Sequence, residues 1–165
     1  MKVHVLVVLV AAMLGGCFGE DPYDRLIAIR QGIAPDSVVH IEFNAGSRDY
    51  DSEVFANIRN QEVIAEFFHL VATADEWEVR GEVMTRSYTT YVFFDDGRRA
   101  SMTVRFFPEF ISFGIYEDDV SDPRAAIRYY DIELAEQELS PPLARVLEYL
   151  ALPRAEQSDP PMNID

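Results

Sequence analysis

The chain has 165 residues and a formal net charge of −15, with 14 basic residues against 29 acidic ones. This excess of acid disfavours nucleic acid and anionic lipid headgroups as partners and favours a basic protein, a cation or a polycation. The alternative is that the charge only keeps an exported surface soluble, as an adaptation to salt. Cys17 is the only cysteine, so an intramolecular disulfide is excluded and a hydrophobic core must stabilise the fold. The length is typical of one domain.

The chain begins with a short apolar segment. After Met1 and Lys2, residues 3–14 are apolar except for His4. An apolar stretch of this length, followed by small residues, is typical of a secretory signal, whereas a membrane span needs ~20 apolar residues. We therefore predict a signal peptide over residues 1–16.

The end of this segment, Leu14-Gly15-Gly16-Cys17, resembles the lipobox of bacterial lipoproteins, which runs Leu-x-Gly-Cys. The resemblance implies cleavage before Cys17, a diacylglyceryl thioether on its sulfur and an acylated amino terminus, where palmitate is incorporated. It also implies attachment to the membrane of the bacterial cell envelope, because two or three acyl chains anchor a protein stably. In a bacterium with two membranes, an Asp directly after the cysteine would retain a lipoprotein at the inner membrane. Phe18 stands there instead, which implies the outer membrane, facing the periplasm. The alternative is an ordinary signal that leaves Cys17 as a free thiol.

Residues 17–22 are interpreted as a tether, and residues 23–152 as a single domain. Asp21-Pro22 is typical of a helix start and Gly32 of a helix end, which predicts a short helix over 22–31. Alternation of apolar and polar residues over 39–43 predicts a strand, and 53–58 predicts a second one.

Asn60 is a favourable N-cap for the strongest predicted helix, which extends to Ala74. Its apolar face predicts core contacts and comprises Val63, Ile64, Phe67, Leu70 and Val71. Its polar face is expected to meet solvent and comprises Glu62, Glu66, His69 and Thr73.

The second half of the chain changes to a period of two, which is typical of strands. Asp95-Asp96-Gly97 predicts a hairpin between strands over 87–94 and 100–106. Further strands are predicted over 111–115 and 127–134, then a helix over 140–150. Residues 153–165, rich in proline and acid, are predicted to be a disordered tail. The predicted class is α+β: an antiparallel sheet with a β-meander, one long helix packed on one face and a C-terminal helix.

The sequence contains no recognisable catalytic or metal-binding signature. Glu66-x-x-His69 has the spacing used by di-iron bundles, but it occurs once and those bundles need it twice. Asp49-x-Asp51-x-Glu53 lacks the glycine and the distal glutamate of a calcium loop, and the acidic run at 117–122 has no recognised ligand spacing. We therefore predict no metal, no cofactor and no catalytic residue.

One face of the predicted meander has the composition of a binding surface, in which aromatic residues and arginine are enriched. The outward residues are Tyr91, Phe93, Arg99, Ser101, Thr103, Arg105, Phe107, Phe110, Ser112 and Tyr116. Among them we select Tyr91, Arg99, Arg105 and Tyr116 as candidate binding residues. The alternative is that the C-terminal helix or a loop covers this face.

These observations favour a lipid-anchored extracytoplasmic binding or accessory module that contacts a ligand or a protein partner. The alternative is an acidic inhibitor or immunity-type lipoprotein that neutralises a basic protein through its charge. An enzyme is a third hypothesis, and it would require a cleft with convergent polar groups.

Overall fold

The structure is a computed structural model that describes residues 21–45, 53–76, 82–116, 127–157 and 160–165. The predicted signal peptide with Cys17, the pair Asp49 and Asp51, and the acidic run at 117–122 lie outside these residues. The helices are α1 (Pro22–Arg30), α2 (Gln61–Thr73) and α3 (Pro141–Ala151), with short 3-10 helices at Leu134–Glu136 and Arg154–Glu156. The strands are β1 (Val38–Ala45), β2 (Val54–Ile58), β3 (Asp75–Glu76), β4 (Arg86–Phe94), β5 (Arg99–Phe106), β6 (Phe110–Tyr116), β7 (Ile127–Glu133) and β8 (Met162–Ile164).

The strands form one sheet in the order β3-β7-β6-β5-β4-β1-β2-β8. Neighbouring strands are antiparallel except β2 and β8, which are parallel. The β4–β5 hairpin is closed by Gly97, whose φ of 81° is accessible to glycine at little cost. The predicted hairpin at residues 95–97 is therefore confirmed.

The three helices contact one face of the sheet, which we call the inner face. In α2, Phe67 is fully buried and its ring lies 5.7 Å from that of Phe43 in β1 and 5.8 Å from that of Phe113 in β6. In α1, the guanidinium of Arg30 lies 4.0 Å from the ring centroid of Tyr130 in β7. Helix α3 contacts both α2 and β2. Edge-to-face aromatic packing at the centre therefore joins the helical layer to the sheet.

The helix starts follow from the capping residues that the sequence supplies. The Asp21 carboxylate accepts a hydrogen bond from the backbone N–H of Tyr23, and Asn60 accepts from two N–H groups at the start of α2. The predicted apolar face of α2 is confirmed, since all five of its residues are buried.

Among the described residues, no helix combines the length and the apolar character needed to cross a membrane.

The fold class is confirmed at the level of three helices and a mostly antiparallel sheet. The expectation of one long helix is not supported, because α1, α2 and α3 have 9, 13 and 11 residues. The sheet is also larger than a meander, since β1, β2 and β8 extend it on one side and β3 on the other. Alternation identifies single strands, whereas their lateral order depends on pairing between distant segments.

The C-terminal residues also differ from the disordered tail predicted for 153–165. Residues 154–156 form a 3-10 helix, and Met162–Ile164 is the edge strand β8. The carbonyl oxygen of Ile164 accepts hydrogen bonds from the N–H groups of Arg59 (2.7 Å) and Asn60 (3.1 Å). Backbone pairing with β2 orders this segment despite its proline and acid content.

Candidate functional site

The face of the sheet opposite the helices, which we call the outer face, carries most of the predicted binding residues. Buried and half-buried residues alternate along β4 from Ser87 and along β5 from Ala100, as expected for strands whose two faces have different surroundings. Tyr91 is paired with Ser101, and Arg105 with Ser112, so these predicted outward residues share one face. Phe110 and Ser112, which also belong to the predicted outward set, are buried. Tyr88, on the inner face of β4, donates a hydrogen bond to the carbonyl oxygen of Leu150 in α3. The C-terminal helix therefore lies on the other side of the sheet and does not cover this surface.

The structure brings three of the four candidate residues together and separates the fourth. The guanidinium carbon of Arg99 lies 4.8 Å from the ring centroid of Tyr91, within range of a cation–π interaction. Tyr91 and Tyr116 line a common cleft. Arg105 lies elsewhere on β5, with its guanidinium carbon 4.0 Å from the ring centroid of Tyr129.

The common cleft, which we call the tyrosine cleft, has a volume of about 340 Å³. A third tyrosine, Tyr23 of α1, reaches it from the end of the helical layer. The hydroxyl of Tyr23 lies 3.0 Å from Ser101 Oγ in a hydrogen bond, and its ring lies 5.8 Å from that of Tyr116 in an edge-to-face arrangement. The lining residues are Tyr23, Thr89, Tyr91, Ser101, Met102, Thr103, Gly114, Tyr116 and Ile127.

Gly114 lies between the tyrosine cleft and the stack of Arg105 on Tyr129. A Cβ at this position would lie 2.5 Å from Cε1 of Tyr129, so a larger residue would displace the tyrosine ring. The absence of a side chain lets that ring approach the backbone of β6 closely, with Arg105 stacked on the ring. The glycine therefore holds an aromatic–arginine stack beside the tyrosine cleft.

A second cleft, of about 630 Å³, lies at the β3–β7 edge and is rich in carboxylates. It is lined by His69, Thr73, Asp75, Glu76, Asp131, Ile132, Glu133, Glu136 and Gln137. Within the described residues, no group of histidine, cysteine, aspartate or glutamate side chains is arranged to hold a metal ion. The carboxylates of this cleft make the edge strongly acidic.

The side chains of Glu66 and His69 have separate surroundings. Glu66 accepts hydrogen bonds from the backbone N–H of Ser140 at 2.6 Å and from the hydroxyl of Ser140. His69 instead lines the acidic cleft. The expectation that Glu66 faces solvent is therefore wrong, because the start of α3 packs against that part of α2.

His40 lies on the outer face beside the meander. Its ring stacks on Phe93 with centroids 4.0 Å apart, and its Nε2 lies 3.4 Å from the Glu42 carboxylate. Burial lowers the pKa of His40 below 6.5, and this effect outweighs the opposing attraction of Glu42. His40 is therefore largely neutral near pH 7 and extends the aromatic part of the outer face.

The sequence could not identify Tyr23 as a site residue. Tyr23 lies 78 positions from Ser101 and belongs to a helix, so no local alternation relates it to the sheet.

No protein-family model, curated protein or solved structure matches this chain.

Proposed function

We propose that this protein is a lipid-anchored extracytoplasmic binding module whose ligand or partner contacts the outer face of the sheet. The observation that carries the proposal is the asymmetry of the sheet. Helices α2 and α3 pack on its inner face, through the ring of Phe67 and the hydrogen bond from Tyr88 to the Leu150 carbonyl oxygen. Its outer face carries tyrosine, arginine and hydroxyl side chains around a cleft that Tyr23 of α1 also lines. The proposed anchor is Cys17, and it rests on the lipobox resemblance of residues 14–17.

The composition of the outer face supports binding more than a purely structural role. Tyrosine and arginine contribute a large share of the binding energy at protein surfaces, because each combines apolar contact area with hydrogen-bonding groups. Tyr116 is 41% exposed and Ile127 at the cleft rim is 45% exposed, so both are accessible to a ligand. The stacking of Arg99 on Tyr91 limits the movement of both side chains before a ligand arrives, which reduces the entropic cost of binding.

The second candidate function is an acidic inhibitor that neutralises a basic protein. The acidic cleft at the β3–β7 edge favours it, because Asp75, Glu76 and Glu133 present carboxylates together. Association driven by this field would slow steeply as salt rises past ~0.15 M, whereas binding at the outer face would depend far less on salt.

A photo-crosslinking experiment in intact cells tests the proposed function. Ile127 is replaced by a benzoylphenylalanine photoprobe at the cleft rim, and exposed Glu148 on α3 receives the same probe as a matched control. We expect a discrete adduct from position 127 alone, and we expect the double variant Tyr91→Ala and Arg99→Ala to abolish it. Adducts of equal yield at both positions, or none at position 127, would contradict an outer-face binding function.

A further inference from the structure

We propose that the tyrosine cleft binds a neutral saccharide, with a sugar ring seated among Tyr23, Tyr91 and Tyr116. This inference rests on the proposed function, because it names the class of ligand that the outer face takes.

The aromatic geometry of the cleft fits a sugar ring. Its three tyrosines come from three different elements, α1, β4 and β6, so their rings surround the space from several directions. Tyr23 and Tyr116 meet edge to face at 5.8 Å, with an interplanar angle of 66°. Sugar rings present apolar C–H faces that pack against aromatic rings, and tyrosine combines such a ring with a hydroxyl group.

The hydroxyl groups of the cleft supply the complementary polar contacts. Thr89, Ser101 and Thr103 lie on the outer side of neighbouring strands, and each hydroxyl can donate one hydrogen bond and accept others. A hydroxyl-rich ligand needs groups with this dual capacity. The hydrogen bond between Tyr23 and Ser101 fixes part of the network in advance.

The described lining of the cleft carries no formal charge, and Arg99 lies beside it on Tyr91. None of the nine lining residues that the structure describes is acidic, basic or histidine, although the chain contains 29 acidic residues. Arg99 would repel a cation at this end of the cleft, and the described lining offers aromatic and hydroxyl groups in place of ionic ones. A neutral ligand that combines apolar faces with hydroxyl groups fits the lining best.

The size of the cleft is also suited to a small ligand. Its volume of about 340 Å³ is at the lower end of the ~300–1,000 Å³ range of small-molecule sites. The space suits a short saccharide segment better than a folded partner, which would require a larger surface.

The inference is tested by titrating the full-length protein with the neutral oligosaccharides chitotetraose, maltotetraose and cellotetraose, monitored by saturation-transfer NMR and calorimetry. We expect at least one to bind, and we expect Tyr91→Ala and Tyr116→Ala each to weaken that binding tenfold or more. Phe93→Ala is the matched control, because Phe93 is an aromatic residue on the same face of β4 that does not line the cleft. Circular dichroism melts confirm that each variant is folded.

Failure to bind any of the three saccharides up to about 10 mM overturns the inference. Equal weakening by Phe93→Ala overturns it as well, because the contact would then not be specific to the cleft. If the crosslinked adduct at position 127 is a protein and no saccharide binds, the proposed function stands and the saccharide inference fails. If neither an adduct nor saccharide binding is found, both fail.

Discussion

The carboxylate of Glu66 links α2 to α3. It accepts one hydrogen bond from the backbone N–H of Ser140, at the start of α3, and another from the hydroxyl of the same residue. We predict that Glu66→Ala lowers the free energy of unfolding by ~1.5–3 kcal/mol, the usual contribution of hydrogen bonds to a charged group. Chemical denaturation measures the loss. Glu62→Ala is the control, because Glu62 is exposed on the same helix and should change little. Equal losses for both variants would show that the contact with Ser140 contributes nothing.

Phe67 is the centre of the core, with ring contacts to Phe43, Phe68 and Phe113. We predict that Phe67→Ala lowers the free energy of unfolding by ~3–5 kcal/mol, because a fully buried ring is replaced by a cavity. Thermal and denaturant melts provide the measurement. A loss below that of Glu66→Ala would mean that the surrounding rings close the cavity at little cost.

We predict that the protein loses stability at acidic pH because of Asp96, which lies in the β4–β5 turn. Hydrogen bonds from the side chain and the backbone N–H of Arg98 lower the pKa of Asp96 from 3.8 to about 2, with a further contribution from Arg25. The folded state therefore binds this proton less tightly than the unfolded state, so the stabilisation is present above pH 3.8 and is lost as the pH falls towards 2.

The measurement is the melting temperature of wild type and of Asp96→Asn across this range. Wild type should be the more stable above pH 4, and the difference should disappear near pH 2. Asp95→Asn is the control, because Asp95 lies in the same turn and its carboxylate is 4.0 Å from Arg25. A difference for Asp96→Asn that is constant with pH would contradict the lowered pKa.

At the scale of elements, strand β8 closes the edge of the sheet at β2. We predict that deleting residues 160–165 lowers the melting temperature by a few degrees, because the two hydrogen bonds to the Ile164 carbonyl are lost. It should also promote self-association, since an exposed edge strand can pair with another chain. Melting curves and light scattering after size-exclusion chromatography measure both effects.

Asn163→Ala is the matched control for this deletion, because the Asn163 side chain is exposed while its backbone stays in the strand. We expect this variant to melt like wild type and to remain monodisperse to the same degree. A deletion variant that behaves identically to Asn163→Ala would show that β8 does not protect the edge.

The elements that the sequence predicted are those that local pattern determines. Strands β4 and β5 alternate clearly and share a tight turn, which fixes their register over a short stretch of chain. Strands β3 and β8 have two and three residues, too few for any periodicity, and they exist because a distant strand pairs with them. The contact of Glu66 with Ser140 and that of Tyr23 with Ser101 span 74 and 78 positions, so pattern alone could not identify either.

At the scale of the whole molecule, the proposed anchor fixes where the domain acts. We predict that Cys17→Ala leaves the protein as an uncleaved precursor without incorporated palmitate, because Cys17 is the proposed site of lipid attachment. Metabolic labelling and mass spectrometry provide the measurement. Phe18→Asp is the matched control, and it should still be labelled while shifting to the inner membrane of a two-membrane bacterium. Equal labelling of wild type and Cys17→Ala would contradict the anchor.

The position of β8 in the chain also governs when the sheet can be completed. Ile58 and its partner Ile164 are 106 positions apart (164 minus 58), so their pairing must overcome the entropy of closing a long loop. The other seven strands precede β8 and leave the ribosome before it. A growing chain therefore keeps an open β2 edge until residues 162–164 have emerged. Final closure of the sheet is in this way coupled to delivery of its last strand.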